Sequence, residues 1–266
     1  MKRQSDLVAF AMLAIALMVP AKSYAGAWTV QRHHWQIFSS ATVSDARQSF
    51  GRDSQAHTTT KFSKLLLQNT LEFGLTDRVT LFATAGYAVA RIREPVAGTS
   101  SVQNTSFEGG AKIRLFGQYG IWSLQGSYKS AGAFDLSVSA DRKAGQQIDL
   151  RLLYGTSFTL LGRNAFVDVQ AGQRWINHPR PNETPVDLTA GVWITPRTLL
   201  LAQSLNIVSA GDAIAPYSYY RSHKVELSVV EMFAKGWSVK LGAFASPTGQ
   251  SSLVERGISV ALWTRS

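Results

Sequence analysis

The chain has 266 residues, of which 45% are hydrophobic and only 17% are charged. This charged fraction is below the roughly 25% of an ordinary soluble domain, yet 27 Lys and Arg against 17 Asp and Glu give a formal net charge of +10. The apolar content excludes intrinsic disorder, and the lack of cysteine excludes a disulfide scaffold or a thiolate metal site.

The first 25 residues have the composition of a secretory signal peptide. Lys2 and Arg3 precede an apolar run over residues 7–20, and Ser23 and Ala25 provide small residues for cleavage after Ala25. About 14 apolar residues are too few for a helix that spans a ~30 Å bilayer core. We therefore predict that residues 1–25 are a signal peptide and that residues 26–266 form one exported domain.

After residue 25 the sequence alternates between apolar and polar residues, as expected of β-strands with one apolar face. In residues 64–75, Leu65, Leu67 and Leu71 share one face, and Lys64 and Glu72 share the other. Twelve segments show this alternation. In the ninth segment the pattern predicts an outward apolar face made of Leu199, Leu201, Leu205 and Ile207. It predicts an inward polar face made of Ser204 and Asn206.

The connections between these segments alternate in length. Short ones are predicted near residues 76–78, 117–120, 159–164, 196–197 and 234–236, and long ones over residues 44–57, 93–105, 131–146, 176–185, 209–221 and 246–254. This rhythm predicts an all-β fold, a transmembrane antiparallel up-and-down β-barrel of about twelve strands with both termini on the short-turn, periplasmic side. A soluble β-sandwich also alternates, but strands of about ten residues match a tilted bilayer crossing.

Aromatic residues are concentrated near both predicted ends of the strands, as in the girdles of membrane barrels. Phe166, Trp193 and Trp263 depart from this pattern, because they fall on the predicted inward face. The last strand begins with Glu255 and Gly257, followed by alternating apolar residues, and it resembles the outer-membrane targeting signal of bacterial barrels. That resemblance implies recognition by the barrel-assembly machinery through the C-terminal strand.

Residues 71–81, Leu-Glu-Phe-Gly-Leu-Thr-Asp-Arg-Val-Thr-Leu, resemble a recurrent strand–turn–strand motif of Gram-negative outer-membrane barrels. Together with residues 26–29, Gly-Ala-Trp-Thr, they resemble a little-characterised family of small exported alphaproteobacterial barrels. The resemblance implies an integral outer-membrane protein among outer-membrane lipids and lipopolysaccharide. It also hints at transport or surface polysaccharide, and it implies no catalytic residue.

Charged residues on the polar faces are candidates for lining the lumen. They are Lys64, Glu72, Glu108, Lys112, Arg114, Lys129, Asp149, Arg151, Asp168, Arg174, Asp187, Lys224, Glu226 and Lys240, eight cations and six carboxylates. Turn counting predicts that Glu108 faces Lys129 and that Asp149 faces Arg174. Such pairs stabilise a narrow interior, because an unpaired charge there is costly. The surplus of cations also suits a pore that favours anionic or neutral polar solutes.

The long connection before the tenth strand is a candidate binding loop. Its aromatic and cationic residues suit stacking on sugars and pairing with phosphates or carboxylates, or plain contact with anionic headgroups, and they are Tyr217, Tyr219, Tyr220, Arg221 and His223. A basic protein could also bind nucleic acid, but export to an envelope argues against it. The oligomeric state is open.

The sequence thus predicts an outer-membrane pore or transport component for polar or anionic solutes. It also allows an accessory role in the export of surface polysaccharide. The alternatives are a lipid-modifying enzyme and an adhesive or structural barrel. An enzyme would need a histidine at the outer rim, His57, His178 or His223, with Asp53, Asp212 or Ser222 nearby. Since none of these lies in a recognisable motif, we predict no catalytic residue, no cofactor and no metal site.

Overall fold

The computed structural model describes residues 26–94, 98–130, 145–177, 179–214 and 217–266, so the predicted signal peptide lies outside the described residues. The described strands are β1 (Trp35–Phe50), β2 (Ala56–Thr76), β3 (Val79–Glu94), β4 (Gly98–Phe116), β5 (Ile121–Lys129), β6 (Gln147–Leu160), β7 (Arg163–Ile176), β8 (Glu183–Trp193), β9 (Thr198–Ser209), β10 (Arg221–Ala234), β11 (Trp237–Gln250), β12 (Ser252–Leu253) and β13 (Arg256–Arg265). None of these residues forms a helix that could cross a membrane.

The sheet closes on itself, because β1 pairs with β2 on one side and with both β12 and β13 on the other. β12 pairs only with the far end of β1, at Ser49 and Phe50, and β13 pairs with the rest. These two segments therefore make one wall strand, and the described residues form a closed antiparallel barrel of twelve strands. Closure leaves no open sheet edge, as a bilayer requires. The predicted fold is confirmed.

The tight turns, the start of β1 and the end of β13 all lie at one end of the barrel. Leu161 and Gly162 join β6 to β7 with φ of 50° and 73°, and Gly236, with φ of 78°, helps to join β10 to β11. At the same end the Trp35 amide donates to the Ser266 hydroxyl, 3.0 Å away. The termini of the wall therefore lie on the short-turn side, which is the periplasmic side in outer-membrane barrels.

Three of the predicted long connections are wrong, because they are mostly strand. β1 continues to Phe50 and β2 begins at Ala56, β3 and β4 come as close as Glu94 and Gly98, and only Ser251 separates β11 from β12. Polar residues replace the apolar ones beyond the hydrocarbon layer, so the alternation stops there. The backbone ladder continues, since neighbouring strands still supply its hydrogen bonds.

The outward face of the wall is apolar and open to the surroundings. Phe107, Leu227 and Leu241 are 62%, 64% and 61% exposed. Such a continuous belt of large exposed hydrophobic side chains would be unfavourable in water, whereas lipid chains cover it without cost. The alternation thus divides each strand between a lipid-facing side and an interior side.

The predicted orientation of β9 is wrong. Leu199 is 0% exposed and Leu201 is also buried, whereas Leu200 is 39% exposed and pairs with Val192 on the outward face of β8. The inward residues are therefore Leu199, Leu201, Leu205 and Ile207, with Gln203 between them. Ser204 and Asn206 lie on the outward side. Three consecutive leucines make the alternation ambiguous, and pairing with β8 decides the register.

Candidate functional site

Residues 26–34 run across the inside of the barrel near its periplasmic end. The His33 amide donates to the Gly74 carbonyl of β2 over 2.7 Å, and the Val30 amide donates to the Thr80 hydroxyl of β3 over 2.8 Å. On the opposite wall the Ala27 amide donates to Asp168 of β7, also over 2.8 Å. We call residues 26–34 the inner segment. It spans the lumen from β2 to β7 and narrows it.

Trp28 fixes the inner segment against the wall. Its ring packs edge-on against Phe166, with 6.0 Å between ring centroids. Gly155 of β6 leaves the space for this ring, because a Cβ there would lie 2.4 Å from it. Trp28 also packs on an apolar cluster inside the wall, formed by Phe166, Leu199, Leu201 and Val230 with Trp193 and Trp263. The inward aromatics that depart from the girdle pattern therefore hold the inner segment.

A cavity of about 260 Å³ lies beside the inner segment at the periplasmic end, and Glu72, Lys112 and Arg114 contribute to its lining. Lys112 Nζ lies 3.7 Å from Glu72 Oε1. Arg114, half-buried, forms no ion pair with any residue in the described part of the chain. The lining therefore contains the Lys112–Glu72 pair and the Arg114 guanidinium, and the C-terminal residues Arg265 and Ser266 complete it.

A network of charges covers the inner side of β6, β7 and β8. Arg151 binds Asp149 at 2.8 Å and Asp187 at 2.9 Å. Arg174 binds the same Asp149 at 3.0 Å and Glu183 at 2.5 Å. Each guanidinium bridges two carboxylates, so these three strands are joined by side chains as well as by the backbone.

A second cluster centres on Glu255, in the break between β12 and β13. The carboxylate is fully buried and lies 2.8 Å from Lys64 Nζ and 2.7 Å from Lys224 Nζ, and it accepts a hydrogen bond from Ser44 over 2.5 Å. Lys64 belongs to β2 and Lys224 to β10. One carboxylate therefore connects both sides of the junction where the barrel closes.

The other predicted lumen residues also lie in the interior. Lys129 is 3.9 Å from Glu108, Lys240 is 2.6 Å from Glu226, and Asp168 accepts from Ala27 and Gln170. The register places Glu108 opposite Lys129 and Asp149 opposite Arg174.

Sequence reasoning missed Glu183, Glu255 and Arg180, which is buried 3.7 Å from Glu183. Glu183 and Arg180 lay in a predicted loop, whereas Glu255 could have been found from its alternation with Gly257 and Ser259. Arg265, which lines the cavity beside the inner segment, was missed as well.

The candidate binding residues separate in space. Tyr219 is exposed, with the Arg221 guanidinium 5.8 Å from its ring centroid. Tyr220 is buried, and its hydroxyl donates to Glu183, so we withdraw it from the set of surface candidates. His223 contacts Asn206 on β9, and the Tyr217 hydroxyl is buried. The loop therefore does not present these five residues as one surface.

The outer-rim histidines do not assemble a triad in the part of the chain that is described. His57 Nε2 lies 3.2 Å from Asp53, and both side chains are more than half exposed. The pKa of Asp53 is lowered, chiefly because its carboxylate accepts a hydrogen bond from the Gln55 amide and secondly because it is hydrogen-bonded to His57. Asp212 accepts from Asn182, and His178 lies outside the described residues. No group of three potential metal ligands occurs among the residues described.

Solved structures with this architecture are membrane barrels. An outer-membrane channel from Pseudomonas putida F1 has a TM-score of 0.71 at 12% identity, over 92% of this chain and 99% of that one. The translocator domain of the autotransporter NalP from Neisseria meningitidis has a TM-score of 0.52 at 10% identity, over 98% and 95%. The beta domain of the Bordetella autotransporter Brka has a TM-score of 0.51 at 12% identity, over 86% and 98%.

No family model matches the chain, and no curated protein matches it. The likeness to solved structures therefore shows the fold. With the exposed apolar belt, it shows a membrane-spanning β-barrel with the fold of Gram-negative outer-membrane barrels. Membership of the alphaproteobacterial family stays a prediction.

Proposed function

We propose that this barrel is a narrow outer-membrane pore for small polar solutes, with a preference for anionic ones. The observation that carries the proposal is the inner segment, which spans the lumen between β2 and β7 on hydrogen bonds to Gly74, Thr80 and Asp168. A segment held in this way reduces the cross-section of the lumen while leaving a hydrated, charge-bearing wall beside it. A twelve-stranded barrel is intermediate between filled small barrels and wide porins.

The anionic preference rests on Arg114. The networks around Arg151, Arg174 and Glu255 neutralise most interior cations, so the net charge of the wall is small. Arg114 faces the cavity beside the inner segment without an acidic partner in the described residues. A single uncompensated guanidinium at a constriction raises the local concentration of anions.

Planar-bilayer recording of the refolded protein tests the pore. Deleting residues 27–33 should raise the single-channel conductance several-fold, because a short constriction dominates the resistance of a narrow pore. Arg114→Glu should move the reversal potential in a salt gradient towards cation selectivity, whereas Arg163→Glu, in a periplasmic turn, serves as the matched charge control. Absence of conductance in both the wild type and the deletion variant would refute the pore.

The other roles predicted from the sequence stay predictions. An accessory role in surface-polysaccharide export is one of them. A purely adhesive or structural barrel predicts binding through the long connections, with neither conductance nor lipid turnover. A lipid-modifying enzyme predicts turnover of phospholipid or lipid A that is lost on His57→Ala, His178→Ala or His223→Ala. Unchanged envelope lipids on overexpression would reject the enzyme.

A further inference from the structure

Four cations lie together on the outer surface of β1, β2 and β3, on the side away from the periplasmic turns. Lys61 and Arg93 are direct cross-strand partners, and Arg91 pairs with Ser63 two positions nearer the apolar belt. Arg47 lies on β1 at the register shift between Ala46 and Gln48. All four are exposed. We call Arg47, Lys61, Arg91 and Arg93 the outer basic patch.

No described side chain neutralises the outer basic patch. Within the described residues none of its four cations has an ion-pair or hydrogen-bonding side-chain partner. The nearby Asp45 is engaged by Arg256, 3.3 Å away. Like charges on directly opposite strand positions destabilise a sheet, so Lys61 opposite Arg93 is unfavourable unless an anion lies between or above them.

The patch lies where lipid headgroups begin. Along the outward face of β2 and β3, Leu65 pairs with Val89, and Arg91 follows two residues beyond Val89. Two residues of a tilted strand rise about 5 Å. The cations therefore stand just above the last apolar ring of the belt, at the end of the barrel opposite the periplasmic turns.

We propose that the outer basic patch binds the phosphate groups of lipopolysaccharide in the outer leaflet. Its charge complements these phosphates, its position matches their depth, and its outward orientation gives access from the bilayer. The Lys61–Arg93 pair then bridges one phosphate group, which offsets the repulsion between the two cations. The pore does not depend on this contact, so failure of one proposal leaves the other standing.

Titration of the detergent-solubilised full barrel with fluorescent bisphosphoryl lipid A tests the proposal. Each cation near an anionic surface changes affinity about five-fold, so Lys61→Gln/Arg91→Gln/Arg93→Gln should bind about 100-fold more weakly than the wild type. The matched control, Arg78→Gln/Arg163→Gln/Lys235→Gln, removes the same charge from exposed positions in the periplasmic turns. It should stay within about three-fold of the wild type, because those positions lie outside the patch.

Dephosphorylated lipid A and phosphatidylglycerol complete the experiment. Weak binding of both supports the proposal. Equal affinity of the triple variant and the wild type, or equal affinity for lipid A with and without phosphates, would overturn it. Phosphatidylglycerol that binds as tightly, with the same dependence on the patch, would overturn the assignment to lipopolysaccharide. If the triple variant does not reach the heat-modifiable folded form, Arg91→Gln and Arg93→Gln alone should each weaken binding about five-fold.

Discussion

At the scale of single residues, Gly74 explains part of the motif in residues 71–81. A Cβ at this position would lie 2.0 Å from the backbone oxygen of Gln31, so only glycine lets the inner segment lie against β2. Asp77, in the following turn, accepts from the Arg32 amide over 3.1 Å. The Thr76 hydroxyl accepts from Arg78 and Val79 and closes the turn. The motif therefore serves both the hairpin and the inner segment.

Gly74→Ala should displace the inner segment. The added methyl group meets backbone rather than a flexible side chain, so the segment must move, and overpacking of this kind costs about 1–3 kcal/mol. Single-channel conductance should rise, and protease should cleave residues 26–34 faster. Gly109→Ala is the control, because a Cβ there meets nothing within 4 Å. Equal behaviour of the two variants would contradict the close approach at Gly74.

At the scale of elements, β9 shows where the alternation of apolar and polar residues fails to predict which face of a strand points inward. Leu199, Leu200 and Leu201 are consecutive, so either phase satisfies an apolar face. The register with β8 places Ala202 opposite Ala190, on the lipid side, and Gln203 opposite Thr189, on the interior side. Lys240 donates to Gln203 over 3.1 Å, which ties β9 to the interior charges.

Single cysteines test this orientation directly, because the chain contains no natural cysteine. A bimane label on Ala202→Cys should be quenched by nitroxide-labelled lipid in vesicles. The same label on Gln203→Cys should be protected from that lipid, since its side chain points inward. Quenching at Gln203→Cys and protection at Ala202→Cys would show the opposite orientation, with Leu199 and Leu201 facing the lipid as the apolar pattern predicts.

At the scale of the whole molecule, barrel closure joins the two ends of the chain. β1 and β13 pair along ten residue positions, and Glu255 adds a connection from Lys64 on β2 to Lys224 on β10. The single carboxylate lies between two ammonium groups in a buried place, so it attracts both and offsets part of their mutual repulsion. Closure therefore depends on a charge cluster as well as on the backbone ladder.

Glu255→Gln should destabilise the barrel by about 3–5 kcal/mol, because it leaves buried Lys64 and partly buried Lys224 without their shared counter-charge. Asp45→Asn is the control, since the Asp45–Arg256 pair is exposed and worth about 1 kcal/mol or less. Urea unfolding of both variants in lipid vesicles measures the difference. A loss of free energy of unfolding as small as that of Asp45→Asn would show that Glu255 is dispensable for closure.

The sequence by itself determined the all-β fold, the twelve wall segments, the short periplasmic turns and most inward charges. These features are local, because a strand in a membrane barrel must alternate with a period of two and turn residues act over a few positions. Only the tertiary structure decided the path of the inner segment, the phase of β9, the length of the strands beyond the belt and the partners of Glu255. Those features depend on contacts between segments that are distant in the sequence. Such contacts are determined by burial and by backbone pairing between strands.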